Sequence, residues 1–126
     1  MSTWTHVNGI IRVDGVPQLM TNCTKENLEK ILGPTVNYDS DEKVWDDCKL
    51  PCGSEGSLQY EIIKAGDGLV LWTIPVWGDL RDYDNVNEIK EWFNVITQES
   101  DLMIRSAIIE ICVEGMEPVI IRFEDG

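Results

Sequence analysis

From Trp4 to Val13 the apolar residues Val7, Ile11 and Val13 alternate with His6, Asn8 and Arg12, and this period of two predicts a strand with one wet face. After the breaker Gly15-Val16-Pro17, Thr24 stands where a helix cap is wanted. Leu28, Ile31 and Leu32 follow at helical spacing, and Gly33-Pro34 stops the run. Residues 37–56 show no period and read as an acid-rich loop. Leu58, Tyr60 and Ile62 alternate with Gln59 and Glu61, and beyond Ala65-Gly66-Asp67-Gly68 the run Leu69 to Val76 is almost wholly apolar, so the two pair as a hairpin. Trp77-Gly78-Asp79-Leu80-Arg81-Asp82-Tyr83 reads as a loop that breaks it. Asn85 with Glu88 three residues on forms a capping box, ahead of Ile89, Trp92, Phe93 and Ile96 on one helical stripe. Two further alternating runs, Leu102 to Val113 and Val119 to Phe123, are joined by the turn Glu114-Gly115-Met116-Glu117.

The predicted order is β-α-β-β-α-β-β in one α+β domain covering residues 1–126. Without its last strand this is the ferredoxin-like β-α-β-β-α-β arrangement, an antiparallel sheet with two helices on one face. Two helices cannot cover both faces. The other face is either wet, or covered by the 37–56 segment with Trp45 as its plug, or paired with another copy in a homo-oligomer. Apolar residues on both parities of the run from Leu69 to Ile74 argue against a fully wet face.

Composition is that of an ordinary folded domain, with 43% hydrophobic and 26% charged residues among 126. Charge changes the picture more: 23 acidic against 10 basic residues leave a formal net charge of -13. Phosphate binding needs clustered Lys and Arg, and here the basic residues never form a run of three, so direct binding to nucleic acid or to an anionic membrane is not expected. A basic protein partner would be attracted and steered instead. Asp39, Asp41, Glu42, Asp46 and Asp47 form the densest acidic patch and the first candidate surface for it. With no apolar run of ~18 residues and no signal-peptide pattern, the chain reads as a cytoplasmic protein with reduced cysteines.

Candidate chemistry is thin. His6 is the only histidine and lies within a strand, so nucleophilic catalysis lacks its usual base and the chain reads as a non-enzyme without a cofactor. Cys48 and Cys52 have C-x₃-C spacing but no second pair to complete a zinc site, and turn-associated thiols explain them as well. The Gly53-Ser54-Glu55-Gly56-Ser57 stretch lacks the Lys and the following helix of a phosphate loop and reads as a turn. In the Trp77 to Tyr83 loop, Trp77 and Tyr83 flank Arg81, itself between Asp79 and Asp82. Aromatic and guanidinium groups of this kind hold planar anionic ligands, whereas an Asp-Arg salt bridge is the structural alternative.

Four stretches, Trp4-Thr5-His6-Val7-Asn8-Gly9 with Ile11 and Arg12, Pro51 to Leu58, Trp77 to Tyr83, and Trp92-Phe93, together resemble small uncharacterised proteins of phages and prophages of Gram-positive bacteria. The resemblance implies a setting and no activity: small acidic phage proteins without enzymatic motifs often inhibit host immunity stoichiometrically. The expectation is an anti-defence protein of the anti-CRISPR type, whose acidity imitates nucleic acid on a host immune nuclease such as a CRISPR effector. The alternatives are an oligomeric sponge for a cyclic-nucleotide signal, held by Trp77, Arg81 and Tyr83, and an accessory virion or scaffold protein.

Overall fold

The computed structural model describes residues 3–15, 25–33, 50–53, 56–65, 70–83, 85–99 and 103–124. Strand β1 (Trp4–Gly15) is followed by helix α1 (Lys25–Leu32), the short strands β2 (Gln59–Tyr60) and β3 (Ile63–Ala65), the long strand β4 (Val70–Arg81), helix α2 (Val86–Asn94), and strands β5 (Met103–Val113) and β6 (Val119–Glu124). All pairings are antiparallel in one six-stranded sheet of order β2-β4-β1-β5-β6, with β3 also on β4. The fold is α+β, as the pattern of the sequence requires.

Burial follows the period of two. Val7, Ile11 and Val13 of β1, Ile74, Val76 and Leu80 of β4, and Ile109 and Ile111 of β5 share one face and join a single core with Leu28 and Leu32 of α1 and Ile89, Phe93 and Ile96 from α2 and its end. The helices touch: Trp92 Nε1 donates to the Leu32 carbonyl at 3.3 Å, and the Tyr60 hydroxyl donates to Gly33 O at 2.6 Å. Gly33, at a φ of 102°, ends α1 and returns its N–H to Glu29 O at 2.9 Å. Asn85 caps α2 as its sequence predicts, its side chain accepting from Glu88 N at 3.4 Å. A π-helical turn, Val95–Glu99, prolongs α2, and the Thr97 hydroxyl donates to Phe93 O at 2.9 Å.

Two segments differ from their expected form. The expected strand from Leu58 to Ile62 is broken into β2 and β3, because Tyr60 pairs with Val76 and Ile63 with Thr73, leaving Glu61 opposite Pro75. Glu61 N donates to Pro75 O at 3.2 Å, but Pro75 has no N–H to return and the ladder lapses there. The second correction concerns Trp77 to Tyr83. Instead of a loop, Trp77 to Arg81 is the end of β4, paired with β1 as far as Trp4 opposite Arg81. Gly78, read as a breaker, is buried beneath the crossing chain, and a Cβ there would lie 3.0 Å from Ser57 O. The glycine serves a close backbone approach within a strand.

The acidic patch Asp39, Asp41, Glu42, Asp46 and Asp47, together with Trp45, Cys23 and Cys48, lies outside the described residues. Among the described residues no group of three or more His, Cys, Asp and Glu could hold a metal ion, and no helix is long and apolar enough to cross a membrane.

Candidate functional site

The helices occupy one face of the sheet. On the opposite face the register sets side chains in rows across β4, β1, β5 and β6. His6 stands between Asp79 and Cys112; Asn8 between Trp77 and Glu110, with Ile120 beyond; Ile10 between Pro75 and Ile108, with Arg122 beyond; and Arg12 between Thr73 and Ser106, with Glu124 beyond. The two middle rows hold open apolar residues among Asn8, Glu110 and Arg122: Ile10 is 44% exposed, Trp77 43%, Ile108 37% and Ile120 54%. Ile10, Trp77 and Ile108 line a shallow groove of about 500 Å³ with Asn8, Pro75 and Glu110, and a second of about 340 Å³ continues past Ile10 and Ile108 to Arg12 and Arg122. Isolated exposed apolar residues are ordinary, whereas several in adjacent rows of one sheet face form a patch that marks an interaction surface.

Charge is graded along the strands. The end where β1 begins, β4 ends and β5 turns into β6 carries Asp79, Asp82, Glu110, Glu114 and Glu117 with Arg81 among them, and Trp4 N donates to Glu114 Oε1 at 2.8 Å. Toward the other end stand Arg12, Arg122 and Arg105, the last donating to Asp14 Oδ2 at 2.9 Å.

The His6 row is what the sequence reading missed, because its three members are 73 and 33 residues apart and only the register brings them together. Nδ1 of His6 lies 2.6 Å from Oδ1 of Asp79. A carboxylate only accepts, so the ring donates from Nδ1 and Nε2 keeps its lone pair in the neutral form. With Cys112 opposite His6 on β5, the row contains the residue types of a Cys-His-Asp arrangement. Its chemistry points away from nucleophilic use. The Cys112 thiol donates to Glu110 Oε1 at 3.4 Å, and burial first, then the Glu110 carboxylate, push its pKa up, which favours the inert thiol over the thiolate. The His6–Asp79 pair is well exposed, so it contributes little to stability.

The candidate ligand residues do not converge. Trp77, Asp79 and Arg81 project from the open face of β4, with Trp77 and Arg81 four residues, about 13 Å, apart along the strand. Arg81 and Asp82 form a loose ion pair at 3.9 Å. Asp82 has a φ of 53° and turns the chain off the sheet, and Tyr83 is buried in the core, where its carbonyl accepts from the buried Thr5 hydroxyl. A ligand held jointly by Trp77, Arg81 and Tyr83 is therefore not assembled within one chain. Cys52 is half-buried beside its bridge partner Ser57. The Gly53 N–H donates to Gly56 O at 3.0 Å, next to the Cys52–Ser57 bridge.

Burial, reinforced by the negative charge of Glu88, raises the Tyr83 pKa above its ordinary value, and burial with Glu29 raises that of Tyr60. A phenol whose folded-state pKa is raised adds stability below its unfolded pKa, about 10, and that contribution is lost as pH climbs further, by at most ~1.4 kcal/mol per pH unit per tyrosine. Urea midpoints are accordingly expected to fall between pH 9 and pH 11.5 (roughly the window set by that unfolded value), and Tyr83→Phe should flatten the fall. An equally steep fall in Tyr83→Phe would show that Tyr83 does not contribute.

Comparison of the chain with protein-family models, with curated proteins and with solved structures finds no match.

Proposed function

We propose that this protein acts by binding, as an acidic inhibitor that occupies a basic surface of another protein. The observation that carries the reading is the net charge of -13, supported by the gathering of Asp79, Asp82, Glu110, Glu114 and Glu117 at one end of the sheet. Such a field repels polyanions and steers a cationic surface, raising association rates by roughly 10- to 1,000-fold at low salt. The partner class is a nucleic-acid enzyme with a basic channel, and the setting is anti-defence: a phage protein inhibiting a host immune nuclease of the CRISPR-effector kind, in the cytoplasm. No chemistry on bound substrate is part of this function. At the finer level we read the architecture as ferredoxin-like, taking β2 and β3 as one interrupted strand and β6 as an addition.

The tagged full-length chain, incubated with host lysate at low and at moderate salt, is expected to retain a basic nuclease that duplex DNA displaces. Amide replacement of Asp39, Asp41, Glu42, Asp46 and Asp47, and separately of Asp82, Glu114 and Glu117, locates the surface: the correct set weakens capture about tenfold and flattens its salt dependence. Capture that is indifferent to salt, to DNA and to both variants would count against the proposal. A thermal-shift screen with cyclic di- and trinucleotides tests the ligand-sponge alternative, in which a second copy would have to complete a site begun by Trp77 and Arg81.

A further inference from the structure

We infer that the open sheet face is the seat of a second copy of this chain, joined by a two-fold axis that runs across the strands. The first argument is charge. On a chain of net charge -13, this face carries nearly equal numbers of both signs: Asp79, Glu110, Glu61 beside Pro75 and Glu124 opposite Ser106 stand with Arg12, Arg122 and Arg81, and Asp14 with its ion-pair partner Arg105. A basic partner gains less from this face than from the rest of so acidic a chain, and another equally acidic chain is least repelled there.

The second argument is symmetry. An isologous interface must be complementary to itself. An axis between the Asn8 row and the Ile10 row lays each of these rows on the other row of the second copy, and the His6 row on the Arg12 row. Trp77 then lies on Pro75 of the second copy, Ile10 on Asn8 beside its Trp77, and the aliphatic stems of Glu110 and Arg122 cover Ile108 and Ile120. Glu110 on β5 falls over Ile108 of the second copy, one strand from its Arg122, and Asp79 on β4 falls one strand from its Arg12. Acidic and basic ends exchange partners twice, once on each side of the axis. An axis parallel to the strands would stack like charges at each end.

The third argument is area. Five strands at ~4.8 Å and about eight residues at ~3.3 Å give a face of roughly 600 Å², within reach of the ~800 Å² per partner of a specific interface once side chains interdigitate. Exposed apolar rows inside a charged rim are the layout such an interface has.

Sedimentation velocity of the full chain between ~5 and ~200 μM, the range in which a micromolar association is visible, is expected to show twice the 14.3 kDa chain mass. Ile108→Asp, at an exposed position, should sediment as a monomer, with a urea midpoint that no longer rises with protein concentration as the wild type's does. Arg122→Glu and Glu110→Arg should each weaken the dimer more than tenfold, and an equimolar mixture of the two should recover it, because the mixed dimer keeps one wild-type Glu110–Arg122 contact and makes the other with its charges exchanged. A wild-type chain that is monomeric at the highest concentration overturns the inference, as does a dimer that survives Ile108→Asp, or a mixture that behaves as the sum of its two parts.

Discussion

Phe93→Ala is expected to lower the unfolding free energy by about 3–5 kcal/mol, the usual cost of emptying a core aromatic site. Phe93 is 1% exposed and sits in α2 between Ile89 and Ile96, facing the apolar side of β1, β4 and β5. Its backbone is held as firmly as its ring. The Thr97 hydroxyl donates to Phe93 O, and Ile96 and Thr97 are buried in the π-turn that prolongs α2. The backbone therefore resists the collapse that would refill a cavity, which places the expected cost toward the upper end of the range. For a domain of this size the loss corresponds to a fall in Tm of roughly 10–20 °C, a large share of the 5–15 kcal/mol that holds a domain folded. Phe93→Leu, which keeps most of the volume, should cost about 1.5 kcal/mol or less, and Val95→Ala, at a 43% exposed position, within about 0.5 kcal/mol. Urea unfolding of the three variants gives the ranking. A cost below 1 kcal/mol for Phe93→Ala (roughly the typical point-mutant value) would mean that α2 is not seated on this face.

What could be read from the sequence was whatever depends on near neighbours. The stripe Ile89, Trp92, Phe93, Ile96 with its Asn85 cap located α2 because helical contacts are three and four residues apart. The alternation of β1, β5 and β6 was equally legible. Two strands were misjudged where the deciding contact is remote. Pro75 breaks β2 from β3 only because it lies opposite Glu61, and Gly78 continues β4 only because Ser57 crosses above it. The candidate sites divide the same way. Trp77 and Arg81 were singled out as neighbours in a loop, and the pleat of β4 instead separates them on an open face while Tyr83 enters the core. The apolar rows of that face could not be anticipated, since Ile10, Trp77, Ile108 and Ile120 come from four strands and are assembled by register alone.

Gly56→Ala is expected to cost about 3 kcal/mol, from two penalties that a second glycine separates. Gly56 has a φ of +76°, and a Cβ built there would lie 1.9 Å from Asp79 O. The left-handed backbone alone costs an alanine about 1–2 kcal/mol. The clash adds ~1–3 kcal/mol, as overpacking does, because the obstacle is the backbone of β4, held there by its pairing with His6 of β1, and no side chain can swing away. Relief must come from lifting the 50–58 turn, which weakens its Leu58 N to Pro51 O bond of 2.9 Å and unseats the buried Leu50 and Leu58. Gly115, in the β5–β6 turn, has a φ of +82° with nothing within 4 Å of the added atom, so Gly115→Ala should show the backbone penalty alone, about 1 kcal/mol. The difference between the two variants in urea measures how closely the turn is pressed onto β4. It has a readout on the open face too, because Asp79, whose carbonyl meets the turn, holds His6 with its carboxylate. The ring resonances of His6 should move in Gly56→Ala and stay in Gly115→Ala. Equal costs, or an unmoved His6, would mean that the turn does not bear on β4.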